Sequence, residues 1–244
     1  AASVLLPLGP VRLRIFCLLL SFLSCAAAVE LRVAAYNIGA QFVGSAPDFS
    51  LGDPGTPDHE SVKAVLGRID ADVVSLEEIA SDDVAGSPDD LDALAASLGY
   101  PYLYLSPVSG GSGYSAPLDN ALRVVFLSRY PFLSTGVITS PAGAREMTRF
   151  LPVVKVDVPG TANDPVIIAA HLKSGDGSDD RFRRIVEMRR LTQYLATQGL
   201  TNDDNFIIMG DFNLVGANRS FVAMPSGLPA SYSLGAVITC PLGY

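Results

Sequence analysis

The sequence lacks tryptophan, and it has few aromatic residues, few charges and only two histidines. Charged residues make up 17% and aromatic residues 8% of its 244 residues, whereas apolar residues make up 49%. This balance excludes a disordered chain and a charged helical array. The 22 glycines and 17 prolines favour strands and loops over a helix bundle. The formal net charge of −8 excludes nucleic-acid binding through bulk positive charge, although it allows a local basic patch.

The first 28 residues have the pattern of a secretory signal peptide. Arg12 and Arg14 precede an apolar run over residues 15–23, and small residues follow up to Ala28. The run is short for a membrane span, so a membrane anchor is the weaker interpretation. A lipidated Cys25 is a third possibility, against which Leu23 counts. We predict a cleaved signal peptide and a secreted or periplasmic protein.

Cysteine is scarce, and its placement excludes a disulfide framework. Removal of residues 1–28 would leave Cys240 as the only one of the three cysteines, so we predict no internal disulfide and no cysteine-based metal site. The sequence contains no internal repeat, and the Gly/Pro/Ser-rich stretches 48–57 and 106–117 are typical of loops. We therefore predict one domain over residues 29–244.

Short apolar runs alternate with amphipathic segments along this domain. Alternating or continuous apolar residues predict strands, and apolar residues at helical spacing predict helices. Predicted strands cover residues 31–35, 72–76, 122–127, 150–156, 166–170 and 206–209, and predicted helices cover residues 61–69, 87–99 and 181–195. The mixture indicates an α/β or α+β fold in which helices cover the sheets.

Four predicted strands lead directly into polar residues. They lead to Asn37, Glu78, His171 and Asp211, with Asn213 just beyond the last. Strands that share a sheet can bring such residues to one edge. Carboxylates, amides and an imidazole suit metal-assisted hydrolysis of a phosphoester, because Mg²⁺ prefers oxygen ligands. The chain has no zinc-type Cys/His spacing, no Walker loop and no G-x-S-x-G motif.

Each of these residues also has a purely structural interpretation. Asn37 could end a turn, Asp211 could form an Asx-turn, and His171 could be a hydrogen-bonded core histidine. Glu78 could form a solvated acidic pair with Glu77, although an acid that closes a buried strand is unusual. Only their joint occurrence favours a catalytic site.

One segment of the chain is locally basic. The arginines are Arg181, Arg183, Arg184, Arg189 and Arg190. We expect a solvated helix face in which Arg183 pairs with Glu187 at i,i+4. The alternative is a DNA-backbone patch that includes Lys173. His59 is expected to cap or flank the first helix rather than to join the site.

Five segments together resemble the endonuclease/exonuclease/phosphatase superfamily, the group that includes pancreatic-type deoxyribonucleases. Their order and spacing match from Leu31 to Asn213, which is most of the chain. The second segment has Glu77 where the family usually has glutamine. The segments are residues 31–38 (LRVAAYNI), 71–79 (ADVVSLEEI), 127–131 (LSRYP), 168–174 (IAAHLKS) and 207–213 (IIMGDFN).

This resemblance implies a four-layer sandwich of two packed mixed β-sheets flanked by helices. It implies that Glu78 binds a divalent cation, Mg²⁺ or else Mn²⁺ or Ca²⁺, with support from Asn37. His171 would stabilise the pentacovalent phosphorus, and Asp211 and Asn213 would orient the nucleophile or leaving group. Arg149 occupies the position of an arginine that often faces the phosphate in this family, and it would bind phosphate here.

The sequence departs from the resemblance at its C-terminal end. The family pattern closes with a Ser-Asp-His stretch whose histidine is the general base, and neither His59 nor His171 follows Asn213. The expectation is therefore a truncated sequence that lacks its last strands, and a polypeptide whose own activity is open.

The predicted function is divalent-metal-dependent hydrolysis of phosphodiester bonds by a secreted, endonuclease-like enzyme, with DNA as the first candidate substrate. One alternative is a sphingomyelinase-like or other phosphoester hydrolase. The other is an inactive pseudoenzyme or binding module.

Overall fold

The computed structural model describes residues 30–39, 42–43, 46–47, 51, 54–80, 90–107, 116–119, 122–201 and 204–214. The predicted signal peptide, the predicted helix start at Ser87 and Pro88, and the C-terminal segment in which strands are expected to be missing lie outside these residues. The domain limits 29–244 accordingly remain a prediction.

Ten strands and three helices are found in the described residues. In chain order they are β1 (Val33–Asn37), β2 (Phe42–Val43), β3 (Ala46–Pro47), α1 (Pro57–Ile69), β4 (Val73–Ala80), α2 (Asp90–Leu98), β5 (Tyr102–Leu105), β6 (Leu122–Ser128), β7 (Phe132–Ile138), β8 (Leu151–Val156), β9 (Val166–Ala169), α3 (Ser178–Thr197) and β10 (Phe206–Met209). None of the helices described is long and apolar enough to cross a membrane. Every predicted strand and helix has a counterpart, and β2, β3, β5 and β7 were not predicted.

The strands form two mixed four-stranded sheets and one short hairpin. The first sheet has the order β1-β4-β6-β5, in which β1 and β4 are parallel and the other neighbours are antiparallel. The second has the order β10-β9-β8-β7, in which β10 and β9 are parallel. The strands β2 and β3 pair antiparallel with each other. Each large sheet therefore contains one parallel pair, and these two pairs carry the candidate site.

Apolar side chains hold the two sheets face to face. Alternate residues of β6 point to opposite faces, as the strand period of two requires. Val124 and Phe126 pack in a cluster with Val154 and Ile167 of the second sheet. Each of these four side chains is fully buried, and burial of such a side chain contributes roughly 1.5–3 kcal/mol.

The helices cover the outer faces of the sheets. Leu66 of α1 and Leu94 of α2 pack against the side of the first sheet that carries Leu76. Leu191 of α3 packs against the outer face of the second sheet, next to Ile168. The layers are therefore helices, sheet, sheet and helix, and the predicted four-layer α/β sandwich of two mixed sheets is confirmed.

Candidate active site

The predicted site residues come together at one edge of the sandwich, but they come from both sheets. The strands β1 and β4 end at this edge in the first sheet, and β9 and β10 end there in the second. A shared sheet accounts for each parallel pair, but not for the whole site, because the two pairs lie in different sheets. Because the sheets pack face to face, the ends of both parallel pairs lie at the same edge. Four chain segments, those that follow β1, β9 and β10 and the last part of β4, therefore meet there.

Asn37 links the two sheets at this edge. Its amide nitrogen Nδ2 donates to Oε1 of Glu78 at 3.1 Å and to Oδ2 of Asp211 at 3.0 Å. Its Oδ1 accepts a hydrogen bond from the backbone N–H of Gly39 at 2.9 Å. The bond to Gly39 fixes the orientation of the amide, so both amide hydrogens face carboxylates.

Glu78 lies in a β-bulge rather than at the end of its strand. The strand β4 continues to Ala80, and its register against β6 shifts between Glu77 and Ile79. Glu78 has φ +69°, a left-handed conformation that costs on the order of 1–3 kcal/mol in a residue with a side chain. The bulge removes Glu78 from the strand alternation and allows it to reach Asn37.

Asp211 and Asn213 form a tight turn after β10. Oδ1 of Asp211 accepts the backbone N–H of Asn213 at 2.8 Å, which is the Asx-turn that the sequence allowed. Asn213 has φ +49°, and its Nδ2 donates to the carbonyl of Leu172 at 2.9 Å. The structural and functional interpretations are therefore compatible, because one carboxylate oxygen of Asp211 holds the turn and the other meets Asn37.

His171 is buried beside this cluster, with 1% of its surface exposed. Within the described part of the chain neither ring nitrogen has a hydrogen-bond partner, and Nε2 lies 3.6 Å from Oε1 of Glu78. The pKa of His171 is lowered to about 3, chiefly by burial and also by the charge of Arg149, while the charge of Asp211 acts in the opposite direction. The ring is therefore neutral at physiological pH, and the described residues supply none of the hydrogen bonds that the structural interpretation requires.

Arg149 is also buried, and its partners belong to the protein. Its Nη2 forms an ion pair with Oδ2 of Asp119 at 2.8 Å, and its Nη1 donates to the carbonyl of Leu172 at 3.3 Å. The carbonyl of Leu172 therefore accepts hydrogen bonds from both Arg149 and Asn213. The sequence indicated Arg149 but gave no sign of Asp119, which lies in a loop without a motif.

Glu77 points between the sheets, directly before Glu78. It is 1% exposed, and its Oε1 accepts a hydrogen bond from the hydroxyl of Ser75 at 2.8 Å. Burial raises the pKa of Glu77 to about 7, the Ser75 bond lowers it, and the charges of Asp211 and Glu78 raise it. The solvated acidic pair with Glu78 is therefore wrong, because the Glu77 side chain lies in the interior.

The edge offers oxygen ligands that fit a divalent cation. The described residues contain no group of three Asp, Glu, His or Cys side chains placed to hold a metal. Glu78 and Asp211 nevertheless share one amide, and Mg²⁺ is commonly bound by one or two carboxylates with water completing its shell. Because Asn37 turns its N–H groups to both carboxylates, it orients these two acidic side chains toward each other.

The basic segment of α3 is not a solvated face at two of its arginines. Arg184 and Arg190 are buried. Nη1 of Arg184 donates to the carbonyls of Lys173 and Gly175 at 2.6 and 2.7 Å, and Arg190 forms an ion pair with Glu146. The prediction of a solvated arginine face is wrong there, because these guanidinium groups have partners inside the protein.

Glu187 of α3 was expected on a solvated helix face with Arg183, but its side chain is fully buried. Its carboxylate accepts the backbone N–H of Thr148 and that of Lys173, each at 2.9 Å. Glu187 precedes Leu191 by four positions, so the two side chains lie on the same face of α3. A charged residue on the face that carries Leu191 is the signal that could have revealed it.

The LSRYP segment lies away from the site. Arg129, in the LSRYP segment, pairs with Asp70 and Asp72 and lies 5.4 Å from the ring centre of Tyr100. This turn is at the opposite end of β4 from Glu78, since Ser128 pairs with Val73. His59 lies in the first turn of α1, which begins four residues before the predicted helix start, and its side chain is buried.

A sequence model of the Endonuclease/Exonuclease/phosphatase family matches residues 34–239. The chain belongs to this family. Its members are phosphoester hydrolases, and they generally use divalent metal ions. No curated protein matches the chain significantly.

Three solved structures of similar fold place the chain among longer proteins. An endonuclease/exonuclease/phosphatase from Beutenbergia cavernae is 25% identical, with a TM-score of 0.51 over 75% of this chain and 47% of that chain. Sphingomyelinase C from Streptomyces griseocarneus is 21% identical, with a TM-score of 0.50 over 77% of this chain and 65% of that one. D. rerio TDP2 complexed with a single-strand DNA product is 19% identical, with a TM-score of 0.50 and coverages of 77% and 62%. The chain thus spans less than two thirds of each of these structures.

Proposed function

We propose that this phosphoester hydrolase is a divalent-metal-dependent phosphodiesterase of the endonuclease-like kind. The observation that carries the proposal is the cluster in which one Asn37 amide joins the carboxylates of Glu78 and Asp211. The neutral His171 lies beside them, and its ring nitrogens have no hydrogen-bond partner among the described residues. A buried histidine with two unpaired ring nitrogens is costly unless a ligand completes its hydrogen bonds.

The carboxylates of Glu78 and Asp211 are the groups that would hold the metal. A bound divalent cation offsets the negative charge that develops on the phosphate oxygens during hydrolysis. Asn37 holds both carboxylates in place, and the bulge at Glu78 keeps its side chain at the edge.

The other residues act on phosphate and water. The ring of His171, neutral because of its low pKa, donates one N–H to a phosphate oxygen. Asn213 uses one amide hydrogen on Leu172 and keeps the other for phosphate. Asp211 orients the attacking water, and Arg149 adds a fixed positive charge behind His171.

We propose DNA as the substrate and a location outside the cytoplasm. The support for DNA is that Arg181, Arg183 and Arg189 of α3 stay partly exposed and that this helix follows the loop of Lys173. The support for secretion is the signal-peptide pattern of residues 1–28. A sphingomyelinase-like activity and a binding module are the alternatives.

The first experiment compares two buried histidines in the purified full chain. His171→Gln should lower kcat for bis(4-nitrophenyl) phosphate by about 10²–10³-fold, because a donor to the developing charge is lost. His59→Gln is the matched control, and it should retain the wild-type rate because His59 lies in α1.

Plasmid DNA and sphingomyelin vesicles, assayed with Mg²⁺, Mn²⁺ and Ca²⁺ in turn, decide the substrate class. Nicking of the plasmid supports the nuclease proposal. Cleavage of sphingomyelin with an intact plasmid contradicts it, and binding of DNA without hydrolysis of any substrate supports the binding module.

A further inference from the structure

A fully buried carboxylate lies on the inner face of α3, outside the set of residues that face the candidate site. Glu187 has no exposed surface. Each of its oxygens accepts one backbone hydrogen bond, Oε1 from Thr148 and Oε2 from Lys173, both at 2.9 Å. No side chain with a single acceptor atom could form this pair of bonds in the same way.

The two N–H groups flank the segments that carry two site residues. Thr148 directly precedes Arg149, and Lys173 follows His171 by two positions. Glu187 therefore ties the segment of Arg149 to the segment of His171, although the two are more than twenty residues apart along the chain.

The same network continues to Asn213. The carbonyl of Leu172, directly before Lys173, accepts hydrogen bonds from Arg149 and Asn213. Arg184, one helical turn before Glu187, donates to the carbonyl of Lys173 and so holds the same loop from its other side. The loop is therefore fixed at consecutive peptide groups, with Glu187 bound to its N–H and Arg184 to its carbonyl.

Burial of a carboxylate costs free energy, because the group loses its hydration, and a helix that packs on a sheet does not require one. Leucine would satisfy the packing, as Leu191 does four residues later. Without an acceptor, however, each of the two backbone N–H groups would cost about 1–3 kcal/mol. The need to bind the backbone N–H groups of Thr148 and Lys173, rather than helix packing, therefore explains the glutamate at residue 187.

We propose that Glu187 is a positioning residue of the active site, which sets the placement of His171 and Arg149 relative to Asp211 and Asn213 without touching the substrate. This inference rests on the proposed function, because it takes the cluster at the sheet edge to be the reacting site.

The test uses two substitutions in the full chain and a stability-matched control. Glu187→Gln keeps one acceptor oxygen and should lower kcat for bis(4-nitrophenyl) phosphate about tenfold, with KM little changed. Glu187→Ala should lower kcat about 10²-fold, since small misplacements of reacting groups have effects of this size. Tyr100→Phe removes a buried hydrogen bond to Ala71 far from the site and should leave kcat unchanged. Partial rescue by glutamine relative to alanine supports positioning.

A second readout does not depend on activity. The sequence has only two histidines, so NMR of the imidazole rings resolves them individually. Glu187→Gln should shift the ring signals of His171 and leave those of His59 unchanged.

The outcomes separate the two proposals. Shifted His171 signals in a chain that hydrolyses nothing would uphold the positioning role and contradict the proposed function. The positioning role would be overturned if the wild type is active, Glu187→Gln keeps the wild-type kcat as Tyr100→Phe does, and the His171 signals do not shift.

Discussion

Two of the three non-glycine residues with positive φ in the described part of the chain are site residues. Glu78 and Asn213 have φ values of +69° and +49°, and the third, Asp70, ends helix α1. Such conformations persist only where surrounding contacts determine them. Asn37 holds Glu78, and the turn of Asp211 holds Asn213. The backbone of Glu78 and Asn213 thus adopts costly conformations, and these conformations direct the two side chains into the candidate site.

Glu77 shows that burial can remove the charge that a glutamine-to-glutamate difference would otherwise add. The family pattern has glutamine at this position, and glutamate looks like a charge added next to the metal site. Because burial raises the pKa of Glu77 to about 7, its carboxyl is largely protonated below neutral pH. A protonated carboxyl has a carbonyl acceptor and a donor, as an amide does.

The pH dependence of stability should therefore change in Glu77→Gln. The pKa of Glu77 rises from 4.5 to about 7 on folding, so its contribution to stability is fully present below pH 4.5 and is lost as the pH rises through 7. Glutamine removes this loss, and the free energy of unfolding at pH 8 should increase by up to about 3 kcal/mol.

Urea unfolding of both proteins at pH 4 and pH 8, with chelator present, measures this effect. The exposed Glu60→Gln on α1 is the control and should not reproduce the gain at pH 8. Equal stability of the wild type and Glu77→Gln at pH 8 would contradict the account.

At the scale of elements, strands with an apolar pattern were predictable, including the edge strands β1 and β10, whereas the edge strands β5 and β7 were not. The strand β6 lies inside its sheet, and its continuous apolar run predicts it well. The outer strands β5 and β7 each have one neighbour, and β7 carries exposed residues through its middle. An edge strand that faces solvent does not need the apolar pattern on which sequence interpretation depends.

The contact between β9 and β10 depends on one glycine. Gly210 has φ +125°, and a Cβ atom there would lie 2.5 Å from the carbonyl oxygen of Ala170. The close approach lets β10 lead directly into the turn of Asp211. Because the obstructing atom belongs to the backbone of the neighbouring strand, the strands would have to separate.

Gly210→Ala should therefore destabilise the protein by more than about 2 kcal/mol and lower hydrolysis by displacing Asp211. Gly136→Ala in β7 is the matched control, because nothing lies within 4 Å of the added Cβ there. Thermal unfolding and the rate with bis(4-nitrophenyl) phosphate measure both effects. A Gly210→Ala protein as stable and active as Gly136→Ala would show that the close approach is unimportant.

At the scale of the whole molecule, the sequence indicates the members of the site but not how they meet. Asn37, Glu78, His171 and Asp211 could be identified because each follows an apolar run. That they come from two sheets depends on long-range pairing, which no local pattern encodes. Glu187 was not recognised because its partners are backbone N–H groups, which every residue except proline carries. The four-layer fold was predicted from the family resemblance, whereas the individual strands and helices were predicted from local apolar patterns.

The central claim is that Glu78 and Asp211, at the edge shared by the two sheets, would hold a divalent cation that would supply the positive charge needed for phosphodiester hydrolysis. The most direct measurement is the rate of hydrolysis of bis(4-nitrophenyl) phosphate by the full chain after EDTA treatment and re-addition of Mg²⁺, compared with Glu78→Gln and with Glu60→Gln as the control. The account predicts a rate that EDTA abolishes and Mg²⁺ restores in the wild type and in Glu60→Gln, and a rate at least about 10²-fold lower in folded Glu78→Gln. Hydrolysis that survives EDTA, or that is unchanged in Glu78→Gln, would contradict it.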